Sequence, residues 1–281
     1  MVGQKDILNN VDYWIKTDTV PRFMIISGGK GCGKATLAKE IAHRMRAYLI
    51  ECELSVDAVR EAVKNCYKCA GTTVYLFRGA DNMSTAAKNA MLKITEEPPR
   101  QAHFIVTVRN SENMLETLRS RATNIQMAPY SADELDRFYH DYTHKKNSMI
   151  REVCDVPGMM REMEKIDVEE LMDFCNTIVD KVQEVTGVNA FKIVQRIRLK
   201  EDGQGHDPEL FFHCMKYVLM QRVLRMSVDK DSRAREEVKI LSRMLNITCK
   251  YHQEFNITGV KKDATLDMWV LELRNVDRGV I

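Results

Sequence analysis

The stretch that decides the fold runs from Phe23 to Thr36 and reads FMIISGGKGCGKAT. Its first five residues form a short apolar run that stops at a pair of glycines, which is the pattern of a buried strand entering a tight loop. Beyond the loop, apolar residues recur at helical spacing: Leu37, Ala38, Ile41, Ala42 and Met45. A strand, a G-x-x-x-x-G-K loop and a helix in this order predict a phosphate-binding loop.

In such a loop, backbone N–H groups and the start of the helix surround phosphate oxygens, and Lys34 reaches the outer phosphates. The predicted nucleotide site comprises Gly28, Gly29, Lys30, Gly31, Cys32, Gly33, Lys34, Ala35 and Thr36. The motif places a Ser or Thr hydroxyl on Mg²⁺ directly after the lysine, but this chain has Ala35, and Thr36 is turned about 100° away on a helix. ATP or ADP is therefore a candidate ligand whose retention stays open, as does that of Mg²⁺, and no metal ligand is predicted.

A P-loop ATPase also needs carboxylates at the end of a neighbouring strand, to hold Mg²⁺ and to orient water. The candidate strand Val74–Phe77 is followed by Arg78 and Gly79, so neither position carries an acid. Asp81 is either a displaced substitute or a turn residue before the next helix. Together with Ala35, these losses predict a loop that does not hydrolyse ATP efficiently.

Composition limits the classes of protein to which the chain can belong. It has 281 residues with 44% hydrophobic residues, enough for a real core, and 42 basic against 40 acidic residues give a net charge of +2. That charge excludes a polycation that wraps nucleic acid by bulk electrostatics. The sequence has no apolar run of about 18 residues, so it predicts no membrane span. Because we recognise no export signal at the N-terminus, we expect a cytoplasmic protein.

Strand and helix patterns divide the chain into three parts. Up to about residue 130, the strands at 23–27, 73–77 and 103–108 alternate with helices, one of them capped by Ser84, which predicts a parallel α/β sheet. After Ser131 the pattern is helical, with a break at Val156-Pro157-Gly158 and a new helix at Asp207-Pro208. We therefore predict an α/β P-loop domain (1–130), a small helical domain (131–187) and an all-α C-terminal domain (188–281).

The eight cysteines are scattered, and reduced thiols are the expected state. Cys66 and Cys69 form the one local pair, with Cys52 as a third candidate ligand. A structural zinc site usually needs four ligands, and no fourth lies close by in sequence. Zinc is not expected.

Several motifs in residues 2–130 resemble the clamp-loader branch of the AAA+ ATPases. They are Val2-Gly3-Gln4, the glycine loop, Ala80-Asp81-Asn82-Met83, Lys88-Asn89-Ala90-Met91-Leu92-Lys93 with Glu96-Glu97-Pro98-Pro99, and Thr117-Leu118-Arg119-Ser120-Arg121. The run Asn89-Ala90-Met91-Leu92-Lys93 with Glu96-Glu97-Pro98-Pro99, followed by Thr117-Leu118-Arg119-Ser120-Arg121, is much more specific than the glycine loop. The nearest branch is that of the delta-prime subunits of bacterial DNA polymerase III. The resemblance implies a AAA+ domain, a helical lid and a C-terminal collar.

It also implies partners and roles. Such subunits join other loader subunits in a hetero-pentamer that opens a sliding clamp and places it on primed DNA, often with a degraded nucleotide site. Their S-R-C motif matches Ser120-Arg121-Ala122, so Arg121 inherits the role of an arginine finger toward ATP on the neighbouring subunit. Without the motif, Arg121 would be interpreted as a surface ion pair.

Other positions depart from the family. Val108 and Arg109 occupy the stretch expected for the first sensor, with Thr107 early, and Met159 and Met160 precede a late Arg161 where the second sensor arginine is expected. The zinc module of many loaders is missing.

Two alternative functions stay open from the sequence. The first is an ATP-hydrolysing motor of the same fold that uses Thr36 and Asp81 as displaced metal ligands. The second is a repair or recombination scaffold. Lys88 and Lys93 could contact DNA directly or form a solvated basic face.

Overall fold

A five-stranded parallel sheet organises the first half of the chain. In this computed structural model, the described residues are 2–68, 70–96, 98–144, 147–182, 187–197, 206–228, 231–255 and 261–276. They form two compact units, one of Met1–Tyr142 with Asp155–Met159 and the other of Thr143–Cys154 with Met160–Ile281. The division into three domains stays a prediction.

The strands are β1 (Phe23–Ser27), β2 (Tyr48–Cys52), β3 (Thr73–Arg78), β4 (Ala102–Val108) and β5 (Thr123–Gln126). Their order across the sheet is β2-β3-β4-β1-β5. The three predicted strands β1, β3 and β4 are confirmed, and β2 and β5 are edge strands that the sequence analysis did not identify. Because every pair is parallel, all carboxyl ends meet at one edge, where Ser27 pairs in register with Val108 and with Gln126.

Helices cover both faces of this sheet. They are α1 (Lys5–Lys16), α2 (Lys34–Arg44), α3 (Val56–Asn65), α4 (Thr85–Glu96) and α5 (Glu116–Arg119). A further helix of the same unit, α6 (Ala132–Tyr142), follows β5. Alternate residues of β3 serve opposite cores, since Tyr75 and Phe77 pack with α3 and α4 whereas Val74 and Leu76 pack with α2. The predicted cap is present, because the Ser84 Oγ accepts the Ala87 N–H at 3.1 Å.

The second unit is helical. Its helices are α7 (Ser148–Val153), α8 (Pro157–Met163, whose first turn belongs to the first unit), α9 (Val168–Lys181), α10 (Gly187–Ile197), α11 (Pro208–Ser227), α12 (Ser232–Phe255) and α13 (Lys262–Arg274). Pro157 begins a helix, so the expected break is wrong at that residue, and proline suits a first helical turn because its missing N–H has no partner there. Asp207 caps α11 as expected, accepting the Glu209 N–H at 2.8 Å. None of the described helices combines the length and hydrophobicity that a membrane span requires.

Candidate nucleotide site and arginine finger

The glycine loop lies between the buried end of β1 and the first turn of α2, as predicted. Its backbone needs glycine, because Gly28, Gly31 and Gly33 have φ angles of 155°, 78° and 92°. A Cβ on Gly28 would also lie 2.9 Å from the Cys32 Sγ and from the Met127 Cβ. The loop therefore has the curled backbone that a phosphate-binding loop requires.

Lys34 folds back over this loop. Its Nζ donates hydrogen bonds to the carbonyl oxygens of Gly28 at 2.7 Å and Gly29 at 2.6 Å. Burial lowers the pKa of Lys34, and the neighbouring Cys32 and Asp81 partly offset that effect. The ammonium group of Lys34 thus bonds to the loop itself, whereas the motif would direct it toward a phosphate.

Two side chains from distant parts of the sequence hold the loop and its surroundings. The Tyr130 hydroxyl donates to the Cys32 carbonyl at 2.9 Å. The Gln4 amide pairs with the backbone of Ala128, accepting its N–H at 2.9 Å and donating to its carbonyl at 2.8 Å. Residues after β5 and before α1 are thereby fixed next to the loop.

The backbone of residues 156–159 packs directly on the loop. The Gly158 N–H donates to the Gly31 carbonyl at 2.9 Å. A Cβ on Gly158 would lie 2.4 Å from the Gly31 Cα, which is closer than atoms can approach without displacement. Only glycine at both positions permits this contact, which the sequence analysis did not anticipate.

At the positions where a metal ligand is expected, the side chains either have no oxygen atom or bond to other residues. Ala35 has no hydroxyl group, and Thr36 is exposed on α2. At the end of β3, the Arg78 guanidinium lies 3.4 Å from the Glu51 carboxylate, which also binds Lys39 at 2.7 Å. These side chains offer no carboxylate at the positions where Walker-type chemistry needs one.

Asp81, the candidate substitute, holds the segment that follows β4. Its carboxylate accepts the Arg109 N–H at 2.8 and 3.0 Å and the Asn113 Nδ2 at 2.8 Å. Thr107, the early sensor candidate, accepts the Gly79 N–H on its Oγ1 at 3.0 Å. Both polar side chains therefore join the ends of β3 and β4 to each other.

The residues of this site thus suit the phosphates of a nucleotide but not the metal ion that usually accompanies them. The glycine loop, the start of α2 and Lys34 suit phosphate oxygens, whereas Mg²⁺ lacks its usual ligands. Within the described ranges, no group of three or more His, Cys, Asp or Glu side chains could hold a metal ion. Of the zinc candidates, Cys66 is buried and donates to the Val63 carbonyl at 3.0 Å, and Cys69 lies outside the described residues.

Arg121 lies in the short connection between α5 and the edge strand β5. One guanidinium nitrogen donates to the Thr117 carbonyl at 2.8 Å, and another lies 3.7 Å from the Glu96 carboxylate. The side chain is 41% exposed. The Ser120 Oγ also donates to the Thr117 carbonyl, at 3.2 Å, so Ser120 orders the turn that presents the arginine.

The other family positions are divided between the core and the surface. Met159 and Met160 are buried and Arg161 is exposed. In the first unit, Lys93 is exposed on α4, and the Lys88 Nζ donates to the Asn113 carbonyl at 2.7 Å.

The fold and the glycine loop define the class first: the chain has a P-loop α/β fold of the AAA+ type. A point mutant of the RuvB protein of Thermotoga maritima has the same fold, with a TM-score of 0.51 and 14% identity over 94% of this chain and 85% of that one.

Sequence comparisons identify the proteins to which the chain is similar. The family model described as "DNA polymerase III, delta subunit" matches residues 49–131. DNA polymerase III subunit gamma of Buchnera aphidicola is 24% identical over 49% of this chain and 47% of its own length, and replication factor C subunit 3 of Schizosaccharomyces pombe is 26% identical over 49% and 44%. DNA polymerase III subunit delta' of Escherichia coli is 40% identical over 27% of this chain and 24% of its own length.

The chain is therefore a relative of the AAA+ clamp-loader subunits of DNA polymerase III and replication factor C, delta-prime included. The first of these matches cover about half the length of each relative, from 44% to 47%.

Proposed function

We propose that the chain is a clamp-loader subunit of the delta-prime type that does not hydrolyse ATP itself. It works in a hetero-pentamer with other loader subunits, which opens a sliding clamp and places it on primed DNA. In this assembly, Arg121 contacts the ATP bound by a neighbouring subunit.

The observation that carries the first part is the state of the metal-binding positions. Ala35 supplies no oxygen, Arg78 pairs with Glu51, and Asp81 is engaged by Arg109 and Asn113. A P-loop site without its hydroxyl and carboxylates lacks the groups that hold Mg²⁺ and orient water. The motor alternative needs Asp81 to leave three hydrogen bonds, which makes it the weaker candidate.

Arg121 is suited to act outside its own subunit. It is half-exposed and lies in the connection after the short helix α5. Its acidic neighbour Glu96 lies at a distance of 3.7 Å, too long for a hydrogen bond. A phosphate could replace that weak ion pair at little cost, because exposed salt bridges contribute about 0–1 kcal/mol. A guanidinium can bond two phosphate oxygens at once and stabilise their developing charge.

The test is reconstitution with the other loader subunits, a clamp and primed DNA. Arg121→Ala is expected to lower ATP turnover at the neighbouring site on the order of a thousandfold. Arg121→Lys should restore little of it, because lysine keeps the charge but loses the planar fork. Arg60→Ala, which removes another exposed arginine of the same unit, is the matched control and should leave turnover unchanged.

Unchanged clamp-dependent turnover in Arg121→Ala would refute the arginine finger. Turnover of MgATP by the purified chain alone, abolished by Lys34→Ala, would instead establish the motor alternative. The cofactor is tested separately by calorimetry of ATP and ADP with and without Mg²⁺. We expect any affinity for nucleotide to be independent of Mg²⁺, because the loop offers phosphate contacts but no metal ligands.

A further inference from the structure

The outer edge of the sheet at β2 is open in the part of the chain that the structure describes. β2 pairs with β3 on one side and ends the strand order on the other. The Tyr48 N–H donates to the Thr72 carbonyl at 2.9 Å, toward β3. Because N–H groups alternate sides along a strand, those of Leu49 and Glu51 point away from β3. The edge thus offers backbone donors and acceptors to another strand.

A groove of about 520 Å³ adjoins this edge, between β2 and α3. Its lining is part apolar and part polar, and the apolar part includes Ile50, Cys52, Ala62 and Tyr75. Tyr48 and Ile50 on the same strand are 74% and 42% exposed. Soluble proteins usually protect an edge strand from pairing, so exposed apolar side chains beside open backbone groups favour a surface to which an extended segment binds.

The rim of the groove carries negative charge. Glu53, Asp57 and Glu61 line it. Asp57 has a long ion pair with Arg60 at 3.6 Å, and among the described residues no basic side chain lies within salt-bridge distance of Glu53 or Glu61. A segment bound along β2 would place alternate side chains over this rim, where lysine or arginine is favoured.

We propose that the open edge of β2 binds an extended, lysine- or arginine-bearing segment of a partner protein, which adds to the sheet as a further strand. A second copy of this chain is a poor occupant, because its own β2 has the sequence YLIEC and carries no lysine or arginine to place over the acidic rim. The proposal is independent of the function above, since it uses neither the glycine loop nor Arg121.

The experiment uses the full chain and a fluorescein-labelled peptide of three Lys-Val repeats, with binding followed by anisotropy. Two matched peptides serve as controls. One has glutamate in place of lysine, and the other has N-methyl groups on alternate amides, which keep the charge but prevent strand pairing. We expect saturable binding of the Lys-Val peptide alone, with slower hydrogen exchange of the Leu49 and Glu51 amides.

Protein variants then locate the binding. Glu61→Lys should weaken the affinity for the Lys-Val peptide about tenfold, a loss of about 1.4 kcal/mol. Glu237→Lys makes the same charge change on the exposed face of α12 and should alter it less than about twofold.

Three results would overturn the proposal. They are equal binding of the N-methylated peptide, equal weakening by both lysine variants, and no binding of the Lys-Val peptide up to about 1 mM. A concentration-dependent dimer of the full chain that excludes the Lys-Val peptide would assign the edge to self-association instead.

Discussion

At the scale of single residues, Asp81 separates the two interpretations of the nucleotide site. A metal ligand would keep its oxygens available, whereas the Asp81 carboxylate accepts hydrogen bonds from the Arg109 N–H and the Asn113 side chain. The position of Asp81 after the strand is visible in the sequence, but its partners are not, since they lie 28 and 32 residues away.

We expect Asp81→Ala to lower the free energy of unfolding by about 1–3 kcal/mol, because it leaves the Arg109 N–H and the Asn113 amide without their acceptor. Denaturation in urea measures this change. Asp57→Ala, which removes an exposed carboxylate, is the control and should stay within about 0.5 kcal/mol. An unchanged stability together with loss of ATP turnover would mark Asp81 as a metal ligand.

His252 makes the helical unit sensitive to acid. Burial, with Lys216 and His213 nearby, lowers the pKa of His252 to about 3, and its ring stacks on Phe212 at 5.2 Å. The pKa of His252 in the folded chain lies below the ordinary value of 6.5, so the folded state favours the neutral ring. The contribution of neutral His252 to stability is therefore fully present above about pH 6.5 and is lost as pH falls toward 3.

The free energy of unfolding should fall between about pH 6.5 and pH 4, by at most about 1.4 kcal/mol per pH unit, because unfolding lets His252 take up one proton. We therefore expect His252→Phe to make this fall smaller. Urea denaturation at each pH measures the slope. His140→Phe, an exposed histidine on α6, should leave it unchanged. Parallel pH profiles for the native chain and His252→Phe would contradict this account.

At the scale of elements, the contact between the glycine loop and the start of α8 depends on two glycines. We expect Gly158→Ala to destabilise the first unit by about 1–3 kcal/mol, because the new methyl group collides with the Gly31 backbone. Gly29→Ala is the control in the same loop, since its Cβ would meet no atom within 4 Å and its φ is not positive. It should be neutral or slightly stabilising. Equal unfolding midpoints for the two variants would refute the contact.

The sequence predicted those elements whose residues are buried throughout. β1 and β4 are buried at every position and β3 at all but its last, so each is a mainly apolar run. β2 has no fully buried residue and β5 has one in four, so neither gives such a run. The glycine loop could be predicted because its chemistry is local. The Gly31–Gly158 and Asp81–Arg109 contacts could not, because they depend on how distant segments pack.

At the scale of the whole molecule, the two units carry one tryptophan each, Trp14 and Trp269. Trp269 is fully buried and its Nε1 donates to the Thr248 Oγ1 at 3.2 Å. Single-tryptophan variants, Trp269→Phe and Trp14→Phe, therefore report on one unit at a time by fluorescence.

We expect Gly158→Ala to lower the urea midpoint in the Trp269→Phe protein and to leave it unchanged in the Trp14→Phe protein, because its collision lies within the first unit. Gly29→Ala in the same two backgrounds is the control. An equal shift of both reporters would show that the chain unfolds as one cooperative body.

The strand order has a consequence for how the protein is made. β1 carries the start of the glycine loop, yet both of its neighbours, β4 and β5, come much later in the chain, with Ile25 opposite Val106 and Asn124. During synthesis on the ribosome, β1 therefore lacks both neighbouring strands until β4 has emerged, and it lacks the second one until Gln126 has emerged. Chaperones that shield exposed strand edges are most needed in that interval. The interval ends when β5, which directly follows Arg121, has been synthesised and pairs with β1.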